Sequence, residues 1–202
     1  MIQSKEDYLY YLECDRVALK AQRKRPPFMK VAGYETWRFE RLMRKLEYYV
    51  NCRKNPFVRR YLRFRYHQLQ IKYGYHIPIN VFGPGLSIAH IGPILINSNS
   101  KIGKNCRIQT GVTLGATNGT NGAPVLGDNV FLGEGCKIIG NVTIANHCAI
   151  GANAVVVKSI VEEGTTYGGI PAKKISSNSS ASNLVNATEI VDNATKQNVE
   201  KK

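Results

Sequence analysis

Between Pro78 and Ile160, aliphatic residues recur at every sixth position: Ile96, Ile102, Ile108, Leu114, Leu126, Leu132, Ile138, Ile144, Ile150 and Val156, with one slot skipped at Thr120. A second series runs four residues behind, through Phe82, Ile88, Ile94, Ser100, Cys106, Val112, Val130, Cys136, Val142, Cys148, Ala154 and Ile160, and is nearly all small or apolar. Neither the 3.6-residue period of a helix nor the alternation of a half-buried strand produces a count of six. The pattern predicts short strands stacked coil upon coil in a parallel β-helix, each coil burying its aliphatic row against the next. Gly103, Gly115, Gly127, Gly133 and Gly151 follow aliphatic slots. They are expected at corners whose φ values a Cβ would penalise. His90 lies six residues before Ile96 and is expected in a slot filled elsewhere by Ile or Leu.

Ahead of the repeat the period changes to that of helices. Residues 4–24 read as an amphipathic helix with Ser4 as N-cap ahead of Asp7, ended by Pro26 and Pro27. A second helix is predicted from Tyr34 to Arg53, with an apolar face of Trp37, Leu42, Leu46 and Tyr49. A third runs from Pro56, at the permitted first turn, to about Tyr73, and Gly74 closes it. The expected organisation is a basic helical domain over 1–75, the β-helix over 76–175, and a polar tail over 176–202. The tail is rich in Ser, Asn, Thr and Ala without a sustained apolar period, so disorder is expected. Its triplets Asn186-Ala187-Thr188 and Asn193-Ala194-Thr195 read as polar spacer rather than glycosylation acceptors.

Charge sharpens the contrast between the halves. Of the net +14, residues 1–75 contribute +11, from 18 Lys and Arg against 7 Asp and Glu. That region suits an anionic membrane surface or a phosphate-bearing ligand as well as a merely solvated surface. Nucleic acid is not expected, because charge comes without a reading helix or stacking motif. The five cysteines lack CxxC spacing, and Cys106, Cys136 and Cys148 fill the small slot of the repeat, so reduced, packed thiols are expected and no metal. The opening residues are charged through their only mildly apolar stretch. The expected location is therefore cytoplasmic, with the basic helices allowing a peripheral position on the inner face of the membrane.

Three stretches carry a family likeness: GLSIAHIGPILI around His90, the segment Gln109–Ile144, and Ile150–Ile175. The last contains Gly169-Ile170-Pro171-Ala172-Lys173, which looks like a G-x-P-A-[KR] terminating signature. Together they resemble the serine acetyltransferase branch of the left-handed β-helix, hexapeptide-repeat acyltransferases. The fold class this implies is mainly β, a left-handed parallel β-helix preceded by a small α-helical domain. The implied reaction is acetyl transfer from acetyl-CoA, as co-substrate, to an acceptor hydroxyl, at sites between subunits of a homotrimer. His90 aligns with the family's general base, and amides in 111–122 would serve a developing oxyanion. Matching positions place the cofactor against Gly133, Ala152, Val157, Lys158 and Lys173, the lysines as phosphate partners. Of the other histidines, His67 and His147 read as surface residues and His76 as a minor second candidate.

The chain departs from the serine enzymes where they carry an Asp before the catalytic His, an Asp fifteen residues upstream, and a second His in a later loop. Ala89, Tyr75 and Ala123 stand there. Ala89 offers no anion to an amino acid's ammonium group. The acceptor expected first is thus a sugar or surface-polysaccharide precursor, which places the chain nearer polysaccharide O-acetyltransferases. Serine O-acetylation is the alternative. A non-catalytic β-helix scaffold or basic binding module is the alternative from another class.

Overall fold

The computed structural model describes residues 1–21, 34–53, 55–117 and 122–200, with side chains to 197. Pro26, Pro27 and Thr120 lie outside the described residues. Helix α1 spans Lys5–Ala18, and the Ser4 hydroxyl accepts from the Asp7 amide at 2.9 Å. It ends six residues earlier than the sequence reading placed it. Lys20 adopts φ 54°, its amide donates to the Val17 carbonyl, and the Ala21 amide donates back to Arg16. This left-handed close satisfies the terminal carbonyls without a proline. Helix α2 spans Tyr34–Asn51 and α3 spans Pro56–Tyr73. Asn55 caps α3 by accepting from the Phe57 and Val58 amides, and Gly74, at φ 73°, closes it.

The coil has three sides. One sheet joins β1 (Tyr75–His76), β3 (Ile94–Ile96), β6 (Thr113–Gly115), β9 (Lys137–Ile139) and β12 (Val155–Val156). The second joins β4 (Lys101–Ile102), β7 (Val125–Leu126) and β10 (Thr143–Ile144). The third joins β2 (Ser87–Ile88), β5 (Arg107–Ile108), β8 (Phe131–Leu132), β11 (Ala149–Ile150) and β13 (Thr166–Gly168), with β14 (Lys173–Ser176) at its edge. The chain visits the sheets in rotation and pairs in parallel with itself one coil later, save for the antiparallel β13–β14 hairpin. The inward rows Ile88, Ile108, Leu132, Ile150 and Ile96, Leu114, Ile138 are fully buried.

The register explains where the count of six slips. Thr113 pairs with Lys137, and Lys137 with Val155. The first step is six residues longer than the second, the length of the one slot the sequence skips. Ser87 pairs with Arg107, two residues further than three sixes. Ile88, not His90, therefore fills the inward slot, and His90 lies exposed at a corner. The expectation that His90 occupies an aliphatic slot of the series is corrected by those two extra residues.

The glycines also act differently from the expectation. None of Gly103, Gly115, Gly127, Gly133 or Gly151 has a positive φ; among the described residues that conformation falls on others, including Asn105, Gly111, Asn129 and Gly135. At Gly133 the requirement is close approach, since a Cβ would stand 2.6 Å from the Ile150 carbonyl oxygen of the next coil.

Two further expectations change. The face α2 presents inward includes Glu40, Arg44 and Glu47, all buried, along with Phe39, Met43 and Leu46. Leu42 and Tyr49 are only half-buried. The tail is not disordered over its described length: helix α4 spans Ala187–Glu200 and packs on α1. Asn105 holds its start, donating to Asn186 and Thr188 and accepting from the Thr188 amide, while Ala187 and Val191 are buried. Polar side chains bonded to a coil corner, with two small apolar anchors, order a segment whose composition offers no long apolar stripe.

Candidate active site

His90 sits on the edge where the third sheet turns into the first. The Ala89 amide donates to the Ile108 carbonyl, Gln109 to Leu132, and Gly133 to Ile150, so these corners stack in a column. Coils repeat at roughly 4.8 Å. Gly133 thus lies two coils from His90 and Ala152 three, along one edge about 14 Å long. Lys173 pairs opposite Gly168 at the end of the same sheet, and the Ala172 amide donates to the Val155 carbonyl, drawing the 169–173 turn over β12. The structure so brings His90, Gly133, Ala152 and Lys173 to one edge. Val157 and Lys158, both exposed, follow β12 at the next corner instead.

The main chain of His90 is held from behind. Tyr75 donates its hydroxyl to the His90 carbonyl oxygen at 3.0 Å. Its ring is buried, edge-on to Phe39 of α2 at 4.8 Å and to Tyr73 at 5.8 Å. Burial, and after it the nearby Glu40 carboxyl, pushes the Tyr75 phenol up, which keeps it a proton-bearing donor. His76 is exposed on β1, and its register partner is Leu95. Of the two neighbours, it is Tyr75 that reaches His90. The sequence marks this position by the loss of a carboxylate and leaves open whether Tyr75 or His76 supports His90; the hydroxyl's partner is fifteen residues away and needed the fold to be seen.

Behind the edge lies a buried charged seam. Asp15, Glu40, Arg44 and Glu47 are all at most 1% exposed. Arg44 donates to Asp15 at 2.7 Å, to Glu47 at 2.9 Å, and to the carbonyls of Phe82 and Gly83. Asp15 also accepts from the Gly85 and Leu86 amides, and Glu40 from the Ile88 amide at 2.8 Å. Burial, then the Asp15 carboxylate, drives Glu40 well above the usual carboxyl range, and its second oxygen has no hydrogen-bond partner. The seam therefore fixes Gly83–Ile88, the lead-in to His90. Two more polar groups on the edge escaped the count of six because they point outward. Glu134 accepts from Thr110, and the Lys137 ammonium binds the carbonyls of Gly111 and Gly135 at 2.6 and 2.9 Å.

No group of His, Cys, Asp and Glu that could hold a metal occurs among the described residues. Of the amides expected near an oxyanion, those of 118–121 lie outside the described residues.

What the fold and its glycine-spaced coils define at the level of class agrees with a family model: residues 123–158 match "Bacterial transferase hexapeptide (six repeats)". Among particular proteins, the serine acetyltransferase of Staphylococcus epidermidis is 44% identical over 91 residues, 44% of this chain and 42% of that protein. The serine acetyltransferase of Staphylococcus xylosus is 41% identical over 88 residues, 43% of this chain and 41% of its own. The chain thus spans about two fifths of the length of these curated relatives. A solved serine acetyltransferase in complex with cysteine superimposes with a TM-score of 0.65 at 27% identity, covering 86% of this chain and 68% of that one. These proteins carry the serine enzyme's name, so the expected closeness to polysaccharide O-acetyltransferases draws no support from them.

Proposed function

We propose that the chain is an acetyl-CoA-dependent O-acetyltransferase with His90 as general base. The observation that carries this reading is the exposed His90 imidazole on a main chain fixed by Tyr75, sharing one edge with Gly133, Ala152 and Lys173. An alcohol is a weak nucleophile at neutral pH. In this mechanism His90 takes the hydroxyl proton as the oxygen attacks the thioester carbonyl. The tetrahedral intermediate collapses, the carbon–sulfur bond breaks, and the imidazolium returns its proton to the departing CoA sulfur. The edge is long enough to receive an extended pantetheine arm, with Gly133 and Ala152 allowing close approach and Lys173 meeting phosphates; Lys158, at the next corner, would reach them from the neighbouring subunit of a trimer.

The assembly in this reading is a homotrimer of left-handed coils, and exposed Leu95, Val157 and Ile170 supply apolar surface for it. The acceptor the relatives' names support is serine. A sugar hydroxyl is the second reading, favoured by Ala89 and Tyr75, which leave neither of the expected carboxylates beside His90. The test is CoA release with L-serine, nucleotide sugars and oligosaccharides in parallel. Turnover with serine alone supports the first acceptor, and turnover with a sugar alone the second. No turnover with any, together with no acetyl-CoA binding by calorimetry at millimolar ligand, would leave a scaffold or basic binding module and sink the enzyme reading.

A further inference from the structure

Helix α3 turns an unusual face outward. Phe57, Tyr61, Phe64 and Ile71 are 83%, 57%, 59% and 65% exposed. At 100° per residue they fall within about 80° of one another, a stripe about 20 Å long. Arg60 and Arg63 flank it on one side, Arg65 and Lys72 on the other, and α3 contains no Asp or Glu. Beside the stripe a groove of about 530 Å³ opens between the helices, lined by Arg38, Arg41, Lys45, Arg65, Tyr34 and Tyr61 among others, with no carboxylate in its wall. Among the described residues none of those four cations forms an ion pair. Arg38, Arg41 and Lys45 stand three and four residues apart on α2, where like charges repel. Of the acids of α2, Glu40 and Glu47 are buried on the opposite side, and half-buried Glu35, three residues before Arg38, forms no ion pair among the described residues and does not line the groove.

We propose that α3 seats the protein on an anionic lipid surface, with the adjoining groove receiving a lipid-borne phosphoryl group. Tyr61 and Arg65 link the two features, one belonging to both stripe and groove and the other lying between them. An apolar stripe bordered by arginines is what an interfacial helix presents to the acyl boundary and headgroups. Guanidinium forks and tyrosine hydroxyls suit phosphoryl oxygens. A second copy of this face would oppose arginines to arginines, so charge complementarity selects an anionic surface over self-association. The inference does not depend on acetyl transfer, and its readout is binding.

The test is sedimentation of the full chain with vesicles of phosphatidylcholine alone or mixed with phosphatidylglycerol. Binding is expected to the anionic vesicles only and to fall with salt. Phe57→Ser with Phe64→Ser, and separately Arg41→Glu with Lys45→Glu, are each expected to weaken partitioning at least about tenfold. A control with the same charge change on the coil, Lys101→Glu with Lys174→Glu, is expected to stay within about twofold. All six residues lie at the surface, so unchanged thermal melts verify folding. Four results overturn the proposal: no anionic-vesicle binding; equal loss in the control; tighter calorimetric binding of soluble inorganic pyrophosphate than of vesicles; or a phenylalanine double variant that changes the oligomer's size by light scattering while leaving vesicle binding intact.

Discussion

The coil and the helical domain are stabilised by opposite means. Inside the coil, rows such as Ile96–Leu114–Ile138–Val156 bury aliphatic side chains against their own repeat, and each contact reproduces the last. Where the helices meet the coil, the join is made by charges: Asp15 of α1 and Arg44 of α2 bonded to each other and to the backbone of Phe82–Leu86. A repeated apolar contact tolerates local error because its neighbours supply the same interaction. A buried ion cluster does not, because each partner is needed to satisfy the others. His90 stands at the boundary, two residues past β2 of the coil: Glu40 holds the Ile88 amide from the helical side, and Tyr75 of β1 holds the His90 carbonyl.

The largest expected effect separates chemistry from both scaffolds. His90→Ala should lower turnover by about 10²- to 10⁴-fold while leaving acetyl-CoA affinity and the melting temperature near those of the parent; near-parent turnover removes His90 from the base role. Next comes the seam. Arg44→Ala strands two buried carboxylates and should cost about 3–5 kcal/mol in urea unfolding, whereas Ile138→Ala in the coil, a cavity of ordinary kind, should cost about 2–5 kcal/mol. The two should also differ in place: amide exchange should quicken around Gly83–Ile88 in the first variant and around β9 in the second. Loss of protection in the same residues for both would mean that coil and seam unfold as one unit.

Glu40 gives the pH signature of the seam. With its carboxyl raised well above 4.5, the folded chain keeps a proton that the unfolded chain releases above that pH. The stabilisation from this group is complete below the unfolded value and is lost as pH rises through the folded one. Glu40→Gln, neutral throughout, should flatten the decline in urea midpoint as pH rises above 4.5. Parallel profiles for the two proteins would remove Glu40 as the source. The smallest effect is that of Tyr75→Phe. Loss of one hydrogen bond to the His90 carbonyl is worth about 1 kcal/mol and should appear as a several-fold drop in kcat with the KM for acetyl-CoA unchanged. An equal fall in stability with kcat intact would assign Tyr75 to packing alone.

The sequence by itself determined the coil. A count of six is a local rule, written into each side of the prism, and it placed β3 to β12 because every strand obeys the same demand for one inward aliphatic residue. It also gave the limits of α3, since Asn55, Pro56 and Gly74 act on their own immediate backbone. The phase at His90 was decided in three dimensions, because only pairing with the next coil shows that Ile88 takes the inward slot and two extra residues lift the imidazole to the surface. Likewise the buried face of α2 reads as polar along the chain. Its charges become interior only when partners 29 and more residues away, Asp15 and the turn at Phe82–Gly83, meet them. The helical tail owes its order to Asn105, more than eighty residues upstream. Repetition is legible because its cause lies within six residues; charge burial and the exposure of one histidine are set by which distant groups the fold brings within hydrogen-bond reach.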